Sequence, residues 1–262
     1  MEGYSFGRAL SRAFGLVRDG LPTVGIFMLV VQIVSTALNF VLQGQLAGQI
    51  RENLATGQAL SGPLVMFGQP LYWLAVAISF VLAVVVYTGS IYGYLAVERG
   101  APASIGECFS AGLGKFLPGL GLLILWFLGV GLGWVLLFVP GIMLMTAWSA
   151  ALPVLVAENR GVTDSFGRSR ALTKGYRWPI FGTLVVALLV IYAPVLVFGG
   201  AFMATSTGML TGQAPSLLFM IITAGYGWFV GMFINALITS IYLDCRLAKE
   251  GGTSGQLSDV FE

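Results

Sequence analysis

The segment Ala157-Glu158-Asn159-Arg160-Gly161-Val162-Thr163-Asp164-Ser165-Phe166-Gly167-Arg168-Ser169-Arg170-Ala171-Leu172-Thr173-Lys174-Gly175-Tyr176-Arg177-Trp178 is the densest run of charge in a chain that is only 9% charged. Long uncharged apolar runs flank it on both sides. Its parts recur elsewhere. An acidic residue and a glycine (Glu158, Gly161) precede a Ser-aromatic-Gly start (Ser165-Phe166-Gly167), and the same order stands at Leu95-Ala96-Val97-Glu98-Arg99-Gly100 before Ser104-Ile105-Gly106. The chain itself opens on Ser5-Phe6-Gly7.

The chain has 262 residues, is 57% hydrophobic and contains no histidine. Its mean hydropathy is +0.90. Soluble domains carry about 25% charged residues, so this composition describes an integral membrane protein. A helix needs about 20 apolar residues to cross a hydrocarbon core of about 30 Å. No charge occurs from Gly20 to Ile50, Asn53 to Val97, Phe116 to Ala157 or Trp178 to Leu243. The first interval holds one span, Thr23 to Leu42. The second begins with turn formers (Gly57, Ser61, Gly62, Pro63, Gly68, Pro70), which leaves Leu71 to Val97. The third divides at Pro140-Gly141, because proline removes a helix donor and glycine permits reversal, giving Phe116 to Phe138 and Ile142 to Ala157. The fourth divides at the polar stretch Thr205-Ser206-Thr207-Gly208 and Thr211-Gly212-Gln213, giving Pro179 to Phe202 and Ser216 to Leu243. The expected fold is all-α, with six transmembrane helices.

Orientation follows from the basic residues near span ends. All but one of the 13 Lys and Arg fall on the side of the chain termini, the exception being Arg51. Both termini are expected in the cytoplasm, with the chain in the bacterial inner membrane. The first apolar run lacks an Ala-x-Ala exit and is read as a span rather than a cleavable signal. Cys108 and Cys245 fall on the cytoplasmic side, where thiols stay reduced.

Residues Tyr4 to Asp19 read as an amphipathic helix at the membrane surface. Phe6, Ala9, Leu10, Ala13, Phe14 and Val17 keep the spacing of one face, and Arg8, Ser11, Arg12 and Arg18 fill the other. Ser5 is the expected N-cap. A second copy places Ile105, Cys108, Phe109, Gly112, Leu113 and Phe116 on the inner face. A third keeps Phe166, Leu172 and Tyr176 but has Ser169 and Thr173 there, and is expected to pack on protein as well as lipid. Each copy leads into two spans that end in an acidic residue and a glycine. The single membrane domain 1–262 is thus expected to be three repeats of interfacial helix plus hairpin (4–101, 102–162, 163–252), related by an axis along the membrane normal. The tail 253–262 contains Gln256-Leu257-Ser258-Asp259-Val260-Phe261, a truncated further copy.

Within the spans, Gly89 and Gly93, Gly129 and Gly133, and Gly227 and Gly231 each form Gly-x-x-x-Gly, which allows close backbone approach either inside the chain or at a dimer seam. Gln32, Asn39, Thr88, Ser90, Asn235, Thr239 and Ser240 are polar residues at membrane depth, with interhelical hydrogen bonding or a substrate site as the two readings. The catalytic inventory is sparse: no histidine, two cysteines far apart, and no phosphate-binding glycine loop. Glu98, Glu158 and Glu250 stand at equivalent hairpin ends. They read either as a gathered metal or proton site or as partners of nearby arginines. No cofactor, metal, nucleic-acid partner or enzymatic activity is expected. The basic residues Arg8, Arg12, Arg18, Lys115, Arg168, Arg170, Lys174 and Arg177 are candidate contacts for anionic lipid headgroups.

The run Pro140-Gly141-Ile142, Pro153-Val154-Leu155-Val156-Ala157-Glu158 and Asp164-Ser165-Phe166-Gly167-Arg168-Ser169-Arg170-Ala171-Leu172-Thr173-Lys174-Gly175 resembles the bacterial multi-pass proteins grouped with the membrane domain of glycerophosphoryl diester phosphodiesterases. Leu257-Ser258-Asp259-Val260-Phe261 is similar to their tails. The resemblance implies the six-span plan. In fused members a separate soluble domain carries the phosphodiesterase chemistry. No such domain is read here, so that activity is not expected of this chain. The leading expectation is a non-enzymatic protein that organises or senses the cytoplasmic leaflet. Its alternatives are a passive transporter or channel and, behind that, an intramembrane lipid-headgroup enzyme.

Overall fold

The computed structural model describes residues 3–56, 70–210 and 216–251. It is 89% helix, and no strand occurs among the described residues. The helices are α1 (Phe6–Gly20), α2 (Ile26–Ala55), α3 (Pro70–Glu98), α4 (Ile105–Gly114), α5 (Phe116–Leu136), α6 (Phe138–Ala147), α7 (Ala151–Ala157), α8 (Val162–Thr173), α9 (Arg177–Leu210) and α10 (Leu217–Glu250). Six helical segments are long and apolar enough to cross a membrane. The protein is therefore a multi-pass membrane protein.

Four boundaries differ from those expected. First, α1 does not stop before the first span: a π-helical turn, Leu21–Gly25, joins it to α2 without a break. The wider turn opens at Pro22, whose missing N–H needs no carbonyl partner. Second, the reversal in the second hairpin falls at Leu137, whose backbone is extended (φ −162°, ψ 136°), and Pro140 and Gly141 lie in the first turn of α6. Proline is tolerated there because those amides have no intrahelical acceptor. Third, the return span is split at Trp148-Ser149-Ala150 into α6 and α7. Fourth, α9 continues to Leu210, so Thr205 to Gly208 are helical and do not form the expected turn. Scattered hydroxyls need not end a helix, because Ser and Thr are able to bond back to a carbonyl of the preceding turn. Positions 57–69, 211–215 and 252–262, including the expected tail copy, lie outside the described residues.

The chain forms two compact units, Met1–Met28 with Val84–Leu188 and Gly231–Glu262, and Leu29–Ala83 with Leu189–Val230. In the second, Gln32 lies 3.8 Å from the position of a Cβ on Gly227, Asn39 donates to the Ser35 carbonyl at 2.8 Å, and the Tyr226 hydroxyl donates to the Ile191 carbonyl. Asn39 is exposed.

The first unit carries three short amphipathic helices, each docked on a neighbouring helix through small residues. In α4, Cys108 and Gly112 are buried while Ile105, Phe109 and Leu113 are exposed. Gly89 lies against the Cys108 carbonyl, and a Cβ on Gly112 would stand 2.6 Å from the Val85 carbonyl oxygen. Thr88 adds a hydroxyl bond to the Gly112 carbonyl at 3.3 Å. So α4 docks on α3 through the small half of its expected inner face, while Phe109 meets the Phe27 ring edge-on at 6.4 Å between centroids. The same split holds in α1, where Ala9, Ala13 and Leu16 are buried and Phe6 and Phe14 are exposed. Its dock is α10: Ser240 donates to the Ala9 carbonyl at 2.6 Å, and Phe14 meets Phe233 at 5.1 Å between ring centroids. Ser169 and Thr173 of α8 are fully buried. They donate to the Ala147 carbonyl at 2.8 and 3.3 Å, an acceptor left available where α6 ends.

Local capping also differs among the three. Ser104 and Glu107 form a complete capping box, with the Ser104 N–H 2.6 Å from the Glu107 carboxylate. The backbone N–H and the hydroxyl of Ser104 hold the Glu107 carboxyl below its ordinary pKa. Ser5 occupies the N-cap position of α1 without a side-chain cap bond. Ser165 is not a helix start, because α8 begins three residues earlier, and its hydroxyl donates to the Gly161 carbonyl at 2.8 Å.

The glycine pairs serve internal packing where their surroundings are described. Gly93 fits against Val24 and Cys108, Gly129 receives the Trp148 ring, and Gly133 meets the Gly141 backbone.

Candidate functional site

The expected carboxylates are all matched by guanidinium groups. Glu98 lies 3.6 Å from Arg12. Glu158, nearly buried, accepts from Arg160 at 2.7 Å and from Arg168 at 3.0 and 3.1 Å. Arg168 also pairs with Glu250. Glu250 accepts from Arg246 at 2.9 Å, Arg246 donates to the Tyr242 hydroxyl at 3.1 Å, and Tyr242 donates to Glu158 at 3.3 Å. The circuit Glu158, Arg168, Glu250, Arg246, Tyr242 is therefore closed. It joins the end of α7, the middle of α8 and the end of α10. Glu98 is not part of it, so two of the equivalent carboxylates are brought together and the third is held elsewhere. Glu158 and Glu250 are thus each held by two guanidinium groups, whereas Glu98 lies beside one. Among the described residues no three His, Cys, Asp or Glu side chains gather as a metal site.

A residue that the sequence did not single out as a site holds the N-terminal helix. Asp244 is fully buried. It accepts from the Ser5 backbone at 3.1 Å and from the Arg8 guanidinium through Nε and Nη2. Tyr4 adds a hydroxyl bond to Thr183 at 2.8 Å, and burial raises its pKa. The signal available in the sequence was the position of Asp244 after a long uncharged run, together with an arginine near the start of α1.

The polar residues expected at membrane depth mostly bond within their own helices. Ser90 donates to the Tyr87 carbonyl at 3.2 Å, Asn235 to the Gly231 carbonyl at 2.8 Å and Thr239 to the Asn235 carbonyl at 2.8 Å. The buried Asn235 Oδ1 has no hydrogen-bond partner among the described residues. Interhelical bonds come from Thr88 and Ser240 of that set and from Tyr94, Ser169 and Thr173.

The basic candidates separate into two groups. Arg8, Arg12, Lys115 and Arg168 are engaged by Asp244, Glu98, Asn159 and the Glu158/Glu250 pair respectively. Arg18, Arg170 and Lys174 are exposed, and among the described residues no carboxylate lies within ion-pair distance of them. Arg177 is half-buried, with its Nε unpartnered among those residues. Although spaced 4 and 3 apart in the sequence, as on one face of a helix, Arg170, Lys174 and Arg177 do not share a helical face. Helix α8 ends at Thr173, Lys174 is extended, and Gly175 (φ +93°) makes the turn that starts α9. Trp178 follows, 81% exposed. Lys249 sits over the Tyr176 ring at 5.3 Å from its centroid, a cation-π contact beside this turn.

Both cysteines are fully buried, and burial pushes the Cys108 thiol up to about 11. The thiolate is the reactive species, so neither cysteine is expected to react with maleimide near neutral pH until the protein is unfolded in SDS. Rapid labelling of folded protein would contradict this placement.

No family model matches the chain, and no curated protein or solved structure gives a significant match to it.

Proposed function

We propose that this chain is a non-enzymatic protein of a bacterial cytoplasmic membrane that organises or senses the leaflet at its basic face, and that it holds anionic headgroups at the α8–α9 turn. One observation carries the reading. Arg170 and Lys174 are exposed without a carboxylate partner among the described residues, next to an outward Trp178, while Arg8, Arg12 and Arg168 are neutralised by protein. Basic residues near an anionic surface gain about 1 kcal/mol each, and tryptophan favours the membrane interface. The basic bias of the termini-side loops supports placing that face in the cytoplasm.

The threefold repeat belongs to the same proposal. Its support is the docking order: α4 lies on the return helix of the first hairpin, α8 on that of the second, and α1 on that of the third. The positions that align in sequence, Ala9, Cys108 and Ser169, and Ala13, Gly112 and Thr173, are all buried. Each amphipathic helix thus takes the preceding unit as its dock, and α1 closes the cycle.

Changing Arg170 and Lys174 together to Gln is expected to lower the anionic lipid that co-purifies with the protein, with its thermal stability unchanged, as read by native mass spectrometry in matched detergent. Equal retention of anionic lipid by both forms would remove the headgroup site.

A further inference from the structure

We propose that the turn between α5 and α6 never reaches water but stays inside the bilayer, its side chains among the acyl chains near the ester level of one leaflet. From Phe116 to Met145 the chain carries no charge, and its only polar side-chain atoms are the indole nitrogens of Trp126 and Trp134. At the tip, Val135 (83%), Leu136, Leu137, Phe138 and Val139 are all exposed, each by more than half, and Trp134 is exposed beside them. This surface continues the outward ridge of α5 at Phe127, Leu128 and Leu132, which a membrane-spanning helix turns to lipid. A run of large apolar side chains projecting into water would lose the transfer free energy that drives insertion, and nothing polar at the tip offsets that loss.

The other two hairpin connections are different in kind. The chain after α2 contains Thr56, Gln58, Ser61 and Gln69, and the chain after α9 contains Thr211, Gln213 and Ser216. Those connections can be solvated; this one cannot.

The backbone sets the depth. The reversal uses Leu137 alone, whose N–H still donates to the Gly133 carbonyl at 3.2 Å. Pro140, in the first turn of α6, removes one donor that would otherwise lack an acceptor. The carbonyls at the end of α5 and the remaining amides at the start of α6 still need polar partners, and the middle of the bilayer has none. Ester carbonyls and the sparse water at that level supply them, and Trp134 is the residue type that anchors there. The tip is therefore shallow in one leaflet and embedded, and it displaces lipid rather than emerging past it.

The test uses the full chain with a single cysteine at Leu137 or, in a second variant, at Val139, each labelled with bimane in detergent and moved into lipid nanodiscs. Both positions point outward, so the fold should accept the label, and the buried native thiols give little background. A bimane on Gly57→Cys in the polar connection serves as the aqueous reference. Lipids carrying a nitroxide near the headgroup end of the acyl chain are expected to at least halve emission at Leu137→Cys and Val139→Cys, with little effect from aqueous iodide. The reference should show the reverse. Iodide quenching at the tip equal to that at position 57 would place the turn in water and overturn the proposal. Quenching by neither agent would mean that protein covers the tip, which overturns it equally.

Discussion

Asp244→Ala is expected to destabilise the folded protein by about 3 kcal/mol, the lower end of the range for removing one partner of a buried ion pair. The carboxylate is fully buried, whereas the Arg8 side chain is 30% exposed, so water recovers part of the loss at the arginine. The Ser5 N–H loses its acceptor at the same time. Asp244→Asn keeps an oxygen for Ser5 and should cost less. The expected local consequence is release of α1 from α10, visible as earlier tryptic cleavage at Arg8 and Arg12 in detergent. A double-mutant cycle with Arg8→Ala tests the pairing itself, since the combined change should cost clearly less than the two single changes added. A loss under about 0.5 kcal/mol for Asp244→Ala, the size of an ordinary surface change, would mean that the pair does not hold α1.

Gly112→Ala and Gly89→Ala are each expected to cost about 1–3 kcal/mol, the usual penalty for forcing a methyl into a filled contact. The obstacle in both cases is a backbone carbonyl, of Val85 for Gly112 and of Cys108 for Gly89. A flexible side chain could turn away; a carbonyl moves only if α4 lifts from α3. Lifting also lengthens the bond from Thr88 to the Gly112 carbonyl. Gly131→Ala is the control, because nothing lies within 4 Å of the added carbon, and it should be neutral or stabilising by up to about 1 kcal/mol through helix propensity. Thermal unfolding of the three variants in one detergent ranks them. Equal stability of Gly112→Ala and Gly131→Ala would mean that α4 is not packed as described.

What the sequence made legible was set by long-range composition. Uncharged length, divided at turn formers and at Pro140-Gly141, identifies the helices that can span a membrane, because hydrocarbon thickness is a hard constraint and charged residues are sparse here. Boundaries were less legible wherever a local rule met tertiary context. Proline marked the second hairpin but sits within the first turn of α6, which tolerates it. The hydroxyls of Thr205 to Thr207 suggested a turn, yet α9 runs through them. The amphipathic helices were visible as stripes, but a stripe does not say which half meets protein. Ala9 and Phe6 belong to one apolar face in the sequence and to opposite environments in the fold. The candidate site was legible as residue types and less so as partners. Arg168 looked like Arg170, and only the packing of α8 against α7 and α10 shows that one is spent on Glu158 and Glu250 while the other is exposed.

The dock of α1 is also a matter of timing. Helices α4 and α8 bond to carbonyls or hydroxyls only 22 to 26 residues away in the chain, so their partners already exist when they leave the ribosome. Ala9 and Ser240 are separated by 231 residues. At the usual 5–20 residues per second of synthesis, α1 waits roughly 10–50 s for its partner to be made. Until α10 is made it has, on the proposed interfacial placement, the membrane surface to rest on, with the Glu98 carboxylate available to Arg12 once α3 is complete. The contrast between its apolar stripe and its arginines is what suits a helix to that surface. On the proposed interfacial placement of α1, that surface doubles as a holding position, occupied until the last helix is inserted and the N-terminus can be locked to it.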